Sequence, residues 1–215
     1  MFFKKTALIC FLLLLRINCS DAQVHSITHC INASIGVFAD KTINNVEDDS
    51  YSGMGSYKLG YVVSYCINHK WSLETGISII HDDKSILAEE PISKDERKKY
   101  DKFGFLHLPL VVQYNIGKDP INRNHWSVGL GPSLNITLLN DTYEYKNSKM
   151  QMLNGRNKLK TFNIGIQTNV SFTFHKKYSF SLDCNFGLLN MKKNYNIGTG
   201  KKYFYHFWPT FSYQF

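Results

Sequence analysis

Glu74 and Asp183 are carboxylates carried on the polar side of two alternating segments, and paired carboxylates are what general acid and base catalysis needs. The competing role is structural, each carboxylate satisfying polar neighbours in a crowded interior, with Lys58 or His206 as its partner. A second candidate is His81, beside Asp82 and Asp83 and with Ser85 nearby in sequence. Hydrolytic or acyl-transfer chemistry there would require a hydroxyl positioned against the histidine and an acid orienting it. No spacing fixes a serine in that way, so His81 reads better as an interfacial histidine followed by a charged loop. Glu47, Asp48 and Asp49, and then Glu89 and Glu90, offer oxygen ligands but lack the spaced loop of a calcium site. No motif calls for a cofactor.

Two of the five cysteines, Cys10 and Cys19, lie near the N-terminus, leaving Cys30, Cys66 and Cys184, which is neither a disulfide framework nor a metal-ligand spacing. If Asp40 pairs near Ser56 across a hairpin, Cys30 stands opposite Cys66, both thiols point inward, and a disulfide is within reach. A slip of two residues would undo that bridge. Cys184 falls on the apolar face and reads as a small apolar residue.

The elements that must position these groups follow from a period of two. Eight segments alternate, near 27–40, 56–68, 71–82, 103–116, 126–139, 161–174, 178–189 and 203–215. In the sixth, Phe162, Ile164, Ile166, Val170, Phe172 and Phe174 share one face, while Asn163, Gly165, Gln167, Asn169, Ser171 and Thr173 share the other. A helix, with its period of 3.6, would scramble the two sets. Each segment meets the ~9 to 11 residues a tilted transmembrane strand needs.

A water-facing exterior would carry Lys and Glu, but this polar face is mostly Ser, Thr, Asn, Gln and Gly, which suits a cramped lumen. The apolar face carries aromatic residues near segment ends, among them Tyr57, Trp71, Tyr114, Trp126, Phe174, Tyr178 and Tyr203. The expectation is therefore an all-β fold, an eight-stranded antiparallel up-and-down transmembrane β-barrel, rather than a soluble barrel with an inward apolar pocket. Its interior is expected to hold Phe38, Lys58, Glu74, His107, Gln113, Asn135, Gln167, Asn169, Asp183, His206 and Trp208, with Lys58, Glu74, His107, Asn169, Asp183 and His206 forming a polar network. An eight-stranded barrel is just wide enough for its own side chains to fill, so a plugged lumen is expected, with a narrow solute channel as the alternative.

Connections at 68–70, 117–125 and 175–177 are short, and those at 41–55, 83–102, 140–160 and 190–202 are long. Short turns belong in the periplasm and long loops outside the cell, which leaves both termini periplasmic. Lys4 and Lys5, the apolar run from Ala7 to Leu15 and the small residues around Ser20 and Ala22 predict a cleaved signal at 1–22, leaving 23–215 as the barrel domain. Asn18 before Cys19 fits a lipoprotein signal poorly. Cleavage would remove Lys4, Lys5 and Arg16 against Asp21 and lower the formal charge from +8 to about +6. The positive residues sit mostly in connections, such as Arg97 to Lys99 and Lys158 to Lys160, which points to solvated loops or anionic lipopolysaccharide headgroups rather than to nucleic acid. Asn-x-Ser/Thr sequons at Asn32, Asn135, Asn140 and Asn169 read as chance.

The run Gly60-Tyr61-Val62-Val63-Ser64-Tyr65 leading into Trp71-Ser72-Leu73-Glu74-Thr75-Gly76, then Leu106-His107-Leu108-Pro109-Leu110, Gly129-Leu130-Gly131-Pro132 and Phe186-Gly187-Leu188, resembles one known group. These are the outer-membrane β-barrel proteins of Bacteroidetes-type bacteria, the "porin family" that includes PorT-like proteins. The resemblance covers essentially the whole chain after the leader. It implies a small barrel without a cofactor, whose terminal Phe215 is read by the barrel-assembly machinery. PorT-like members are linked to secretion across the outer membrane, and a rigid wall displaying long loops reads as a structural or binding role. The loops at 41–55, 83–102 and 140–160 would carry contacts to a protein partner. A lipid-modifying enzyme built around His81 stands as the alternative.

Overall fold

The computed structural model describes residues 26–43, 50–83, 98–116, 124–146, 149–152, 159–175, 177–191 and 201–215. The signal at 1–22, Ser85, the acidic groups Glu47 to Asp49 and Glu89 to Glu90, and part of each long loop lie outside the described residues.

The strands are β1 (Ile27–Ile43), β2 (Ser50–Cys66), β3 (Trp71–Asp83), β4 (Lys98–Ile116), β5 (His125–Lys146), β6 (Lys149–Met152), β7 (Phe162–Phe174), β8 (Tyr178–Gly187) and β9 (Lys201–Gln214). Every pairing is antiparallel. Neighbours in sequence pair in turn, β9 returns to β1, and β4 joins β5, so the sheet closes on itself. Eight of these strands make the wall. The short β6 extends only the end of β5, through Tyr143 to Lys146, and no period-two pattern announces it. Closure removes the free edges that an open sheet of this length would expose.

Strands β1 to β5 and β9 run past the expected limits at the loop end. The ladder of β1 and β2 continues to Thr42 opposite Ser50, and β4 begins at Lys98. The register therefore differs from the expected one by four residues. Cys30 lies opposite Val62, and the Cys66 amide donates to the carbonyl of Ser26 instead. Four residues at ~3.3 Å each separate the two cysteines by about 13 Å along the hairpin, so no bridge forms and Cys30, Cys66 and Cys184 are free thiols. An even slip leaves every side chain on its original face, which is why parity is readable in the sequence and pairing is not.

The outward face is apolar, with Ile35, Leu59, Ile79, Leu130, Ile164 and Phe180 all exposed. The inward face buries Asn32, Ser34, Lys58, His107, Asn135, Gln167, Asn169 and Asp183. At the short-turn end an aromatic belt passes over every wall strand. His29 stacks between Tyr61 and Phe215, Trp71 meets Tyr114 at 4.9 Å, Trp126 meets Phe172 at 5.0 Å, and Tyr178 contacts both Phe174 and Tyr213 at 5.5 Å. Rings with one apolar side and one polar tip favour a membrane interface, and a belt of them sets the depth of the barrel.

A direct consequence concerns Leu130, which projects from β5 four residues beyond Trp126 and is 59% exposed. Leu130→Arg is expected to destabilise the barrel in a lipid bilayer by about 2 to 4 kcal/mol, against about 0 to 1 for Ile116→Arg at the belt. Urea titration of the barrel folded in vesicles, read by gel migration, measures both. Equal costs at the two positions would contradict the assignment of this face to lipid.

Candidate functional site: a layered lumen

Three layers fill the lumen. Nearest the loops, Phe38, Ile80, Phe103, Phe105, Met191, Phe204 and Trp208 form one buried apolar cluster, with Leu159 packed against it. The rings of Phe38 and Phe204 meet edge to face at 4.9 Å, and Phe103 lies 5.5 Å from Phe204. The position of β4 makes this possible. A bulge opposite Gly104 and Phe105 leaves Leu138 of β5 unpaired, while Phe103 and Phe105 both stay inside. Ion pairs sit around the cluster: Lys202 to Asp40 at 2.9 Å and Lys102 to Asp83 at 2.7 Å.

Below the cluster the Lys58 ammonium bonds the Asp183 carboxylate at 2.7 Å and lies 4.4 Å from the centre of the Trp208 ring. The hydroxyls of Thr210 and Ser181 donate to the same carboxylate at 2.8 and 2.9 Å. The Trp208 indole N–H donates to Ser56 at 2.8 Å. His107 sits with its two ring nitrogens 2.6 and 2.7 Å from the side-chain oxygens of Asn135 and Gln167. Asn185 joins this group by donating to Ser133 and accepting from Asn135. Gly36 lets Trp208 seat, because a Cβ there would strike the Trp208 side chain and the Phe207 carbonyl.

At the short-turn end the packing opens into a polar cavity of about 180 Å³, lined by Cys30, Cys66, Glu74, Asn169 and many serine hydroxyls. Glu74 accepts from the Gln113 amide, which in turn accepts from Ser127 at 3.2 Å, and Ser127 also bonds Ser171.

The sequence-derived interior residues thus share one enclosure, but they divide among the layers. Asp183 takes Lys58, Glu74 takes Gln113, and His206 pairs with Asp82 at 2.9 Å rather than with either of the carboxylates expected to hold it. In sequence Asp82 stands next to His81. Successive strand residues point to opposite faces, so His81 lies outside against Tyr57 at 5.1 Å while Asp82 is fully buried inside. His81 and Asp82 therefore form no catalytic pair. The His206–Asp82 pair is buried among the described residues, its imidazole packed between Phe38 and Trp208. Among the described residues no cluster of His, Cys, Asp and Glu is arranged to hold a metal ion. Phe215 closes the wall, its amide donating to the carbonyl of His29.

A family model described as outer membrane protein beta-barrel domain matches residues 23–193, well over half of the chain. Comparison with curated protein sequences finds no match. Among solved structures the chain is similar to Neisserial surface protein A, at 12% identity and a TM-score of 0.48 over 88% of this chain and 99% of that one. It is also similar to Ail, the attachment invasion locus protein of Yersinia pestis, at 10% identity and a TM-score of 0.43 over 86% and 98%. The outer membrane protein OprG from Pseudomonas aeruginosa follows at 11% identity and a TM-score of 0.40 over 89% and 97%.

Proposed function

The chain belongs to the outer membrane protein β-barrel domain family, and from that premise we propose that it is a plugged, non-enzymatic scaffold that presents its long loops for binding at the cell surface. The observation that carries this reading is the aromatic cluster of Phe38, Phe103, Phe204 and Trp208, which fills the lumen at the end where the long connections leave. A wall stopped at that end is better suited to holding loops in place than to passing solutes.

In this reading the signal at 1–22 exports the chain, the barrel-assembly machinery reads Phe215, the short turns face the periplasm and the basic loops meet lipopolysaccharide or a protein partner. Its kinship is with the PorT-like proteins of Bacteroidetes-type bacteria, and its task a contact that supports secretion across the outer membrane. Replacing 41–55, 83–102 and 140–160 by short turns tests it. The exchanged barrel is expected to keep heat-dependent gel migration while the secreted-protein profile or surface adhesion of the cells changes. Cells with correctly folded exchanged barrels and unchanged secretion and adhesion would refute the proposal.

A further inference from the structure

The cavity at the short-turn end does not take part in plugging the barrel, and its chemistry is one-sided. Glu74 and Asp183 are its carboxylates, and among the described residues no lysine or arginine lines it. Asp183 is already matched by Lys58, whereas Glu74, half-buried in the wall, is held by the neutral amide of Gln113. Asn32 and Asn169, each over nine-tenths buried, also line the cavity, with their unpartnered side-chain oxygens packed against the wall at Gly60 and Gly129. Ser64, Ser72, Ser127, Ser171 and Ser212 add hydroxyls that can accept as well as donate. The enclosure therefore presents many hydroxyls that can accept and one carboxylate without a matching cation.

We propose that this vestibule binds a primary ammonium group on a short alkyl chain, entering from the short-turn mouth, with Glu74 as its counter-charge. An ammonium brings the positive charge that Glu74 has no match for and three donors for the surrounding hydroxyl oxygens. The cavity of about 180 Å³ has room for a four-carbon amine in place of several waters. Asp183 and Thr210 close its inner end, with Lys58 paired to Asp183 behind them and Trp208 beyond, so the ligand is held rather than passed through. A free diamine and a lysine side chain of a periplasmic protein share this chemistry. Anions are disfavoured by the two carboxylates, and a neutral polyol leaves Glu74 uncompensated.

Calorimetry on the full-length barrel in detergent micelles at pH 8, with putrescine and with Nα-acetyl-lysine amide as probes, tests the site and separates the two sources. Saturable binding near one per barrel is expected for at least one probe, weakened about ten-fold or more in Glu74→Gln, which keeps the shape and removes the charge. Ser127→Leu, which fills the mouth, is expected to abolish binding and decides the matter if Glu74→Gln does not fold. Tetramethylammonium, charged but without donors, and glycerol are expected not to compete. Absence of saturable binding, equal affinity in Glu74→Gln, undiminished binding in Ser127→Leu, or competition by either control would overturn the proposal.

Discussion

Lys58→Ala is expected to cost the folded barrel about 3 to 5 kcal/mol, because it strands a buried carboxylate. The Lys58 and Asp183 side chains are only 2% and 6% exposed, and their charged atoms are 2.7 Å apart. With the ammonium removed, Thr210 and Ser181 still donate to Asp183, but two neutral hydroxyls do not match a full negative charge. Charge compensation, rather than packing of the lysine stem, is the main contribution, and a second variant separates the two. Lys58→Met with Asp183→Leu removes both charges together and is expected to recover most of the loss, as buried pairs replaced by apolar groups often do. Urea titrations of the wild type, Lys58→Met, Asp183→Leu and the double variant in lipid vesicles give the coupling energy directly. Additive losses would show that the two side chains act independently.

Trp208→Ala is expected to cost a similar amount, about 3 to 5 kcal/mol, by a different route. The indole is fully buried, stacks on His206 at 4.6 Å and donates to Ser56 at 2.8 Å. Its loss opens a void at the junction of the aromatic cluster and the polar layer, and the strands around it are hydrogen-bonded into a closed wall that collapses poorly into such a space. The Lys58 ammonium loses the ring it lies over as well. Trp208→Phe keeps a ring in place and sacrifices chiefly the N–H, so its cost is expected to be the smaller of the two. An alanine variant that unfolds at the wild-type urea concentration would show that the plug contributes nothing to stability.

Much of this architecture is legible in the residues. The alternation of 161–174 and 203–215 gives the two faces, and the small uncharged groups on one of them identify the lumen, because closure depends on face chemistry and parity. Pairing across a hairpin depends on where the ladder ends, and the expected partner of Cys30 is wrong because the strands continue to Thr42 and Ser50 beyond the last clearly alternating residue. Partners across the lumen are the least legible. The contact between Asp82 and His206 spans 124 positions and that between Lys58 and Asp183 spans 125, and nothing local to either residue specifies such distances. Parity alone is enough to separate His81 from Asp82, since neighbours in a strand face opposite ways. The division of the lumen into a sealed end and an open end is readable in part: Phe38, Phe103, Phe105 and Phe204 all lie toward the long-loop ends of their strands, and the serines collect toward the short turns.

The most direct test of a barrel stopped by its own side chains is electrical. The purified wild-type barrel, with its insertion verified by heat-dependent migration after recovery from the same membranes, is expected to leave planar lipid bilayers electrically silent, because the cluster around Phe38, Phe204 and Trp208 closes the loop end. Reproducible, uniform conductance steps from that preparation would contradict the plugged lumen and make a solute path the leading function.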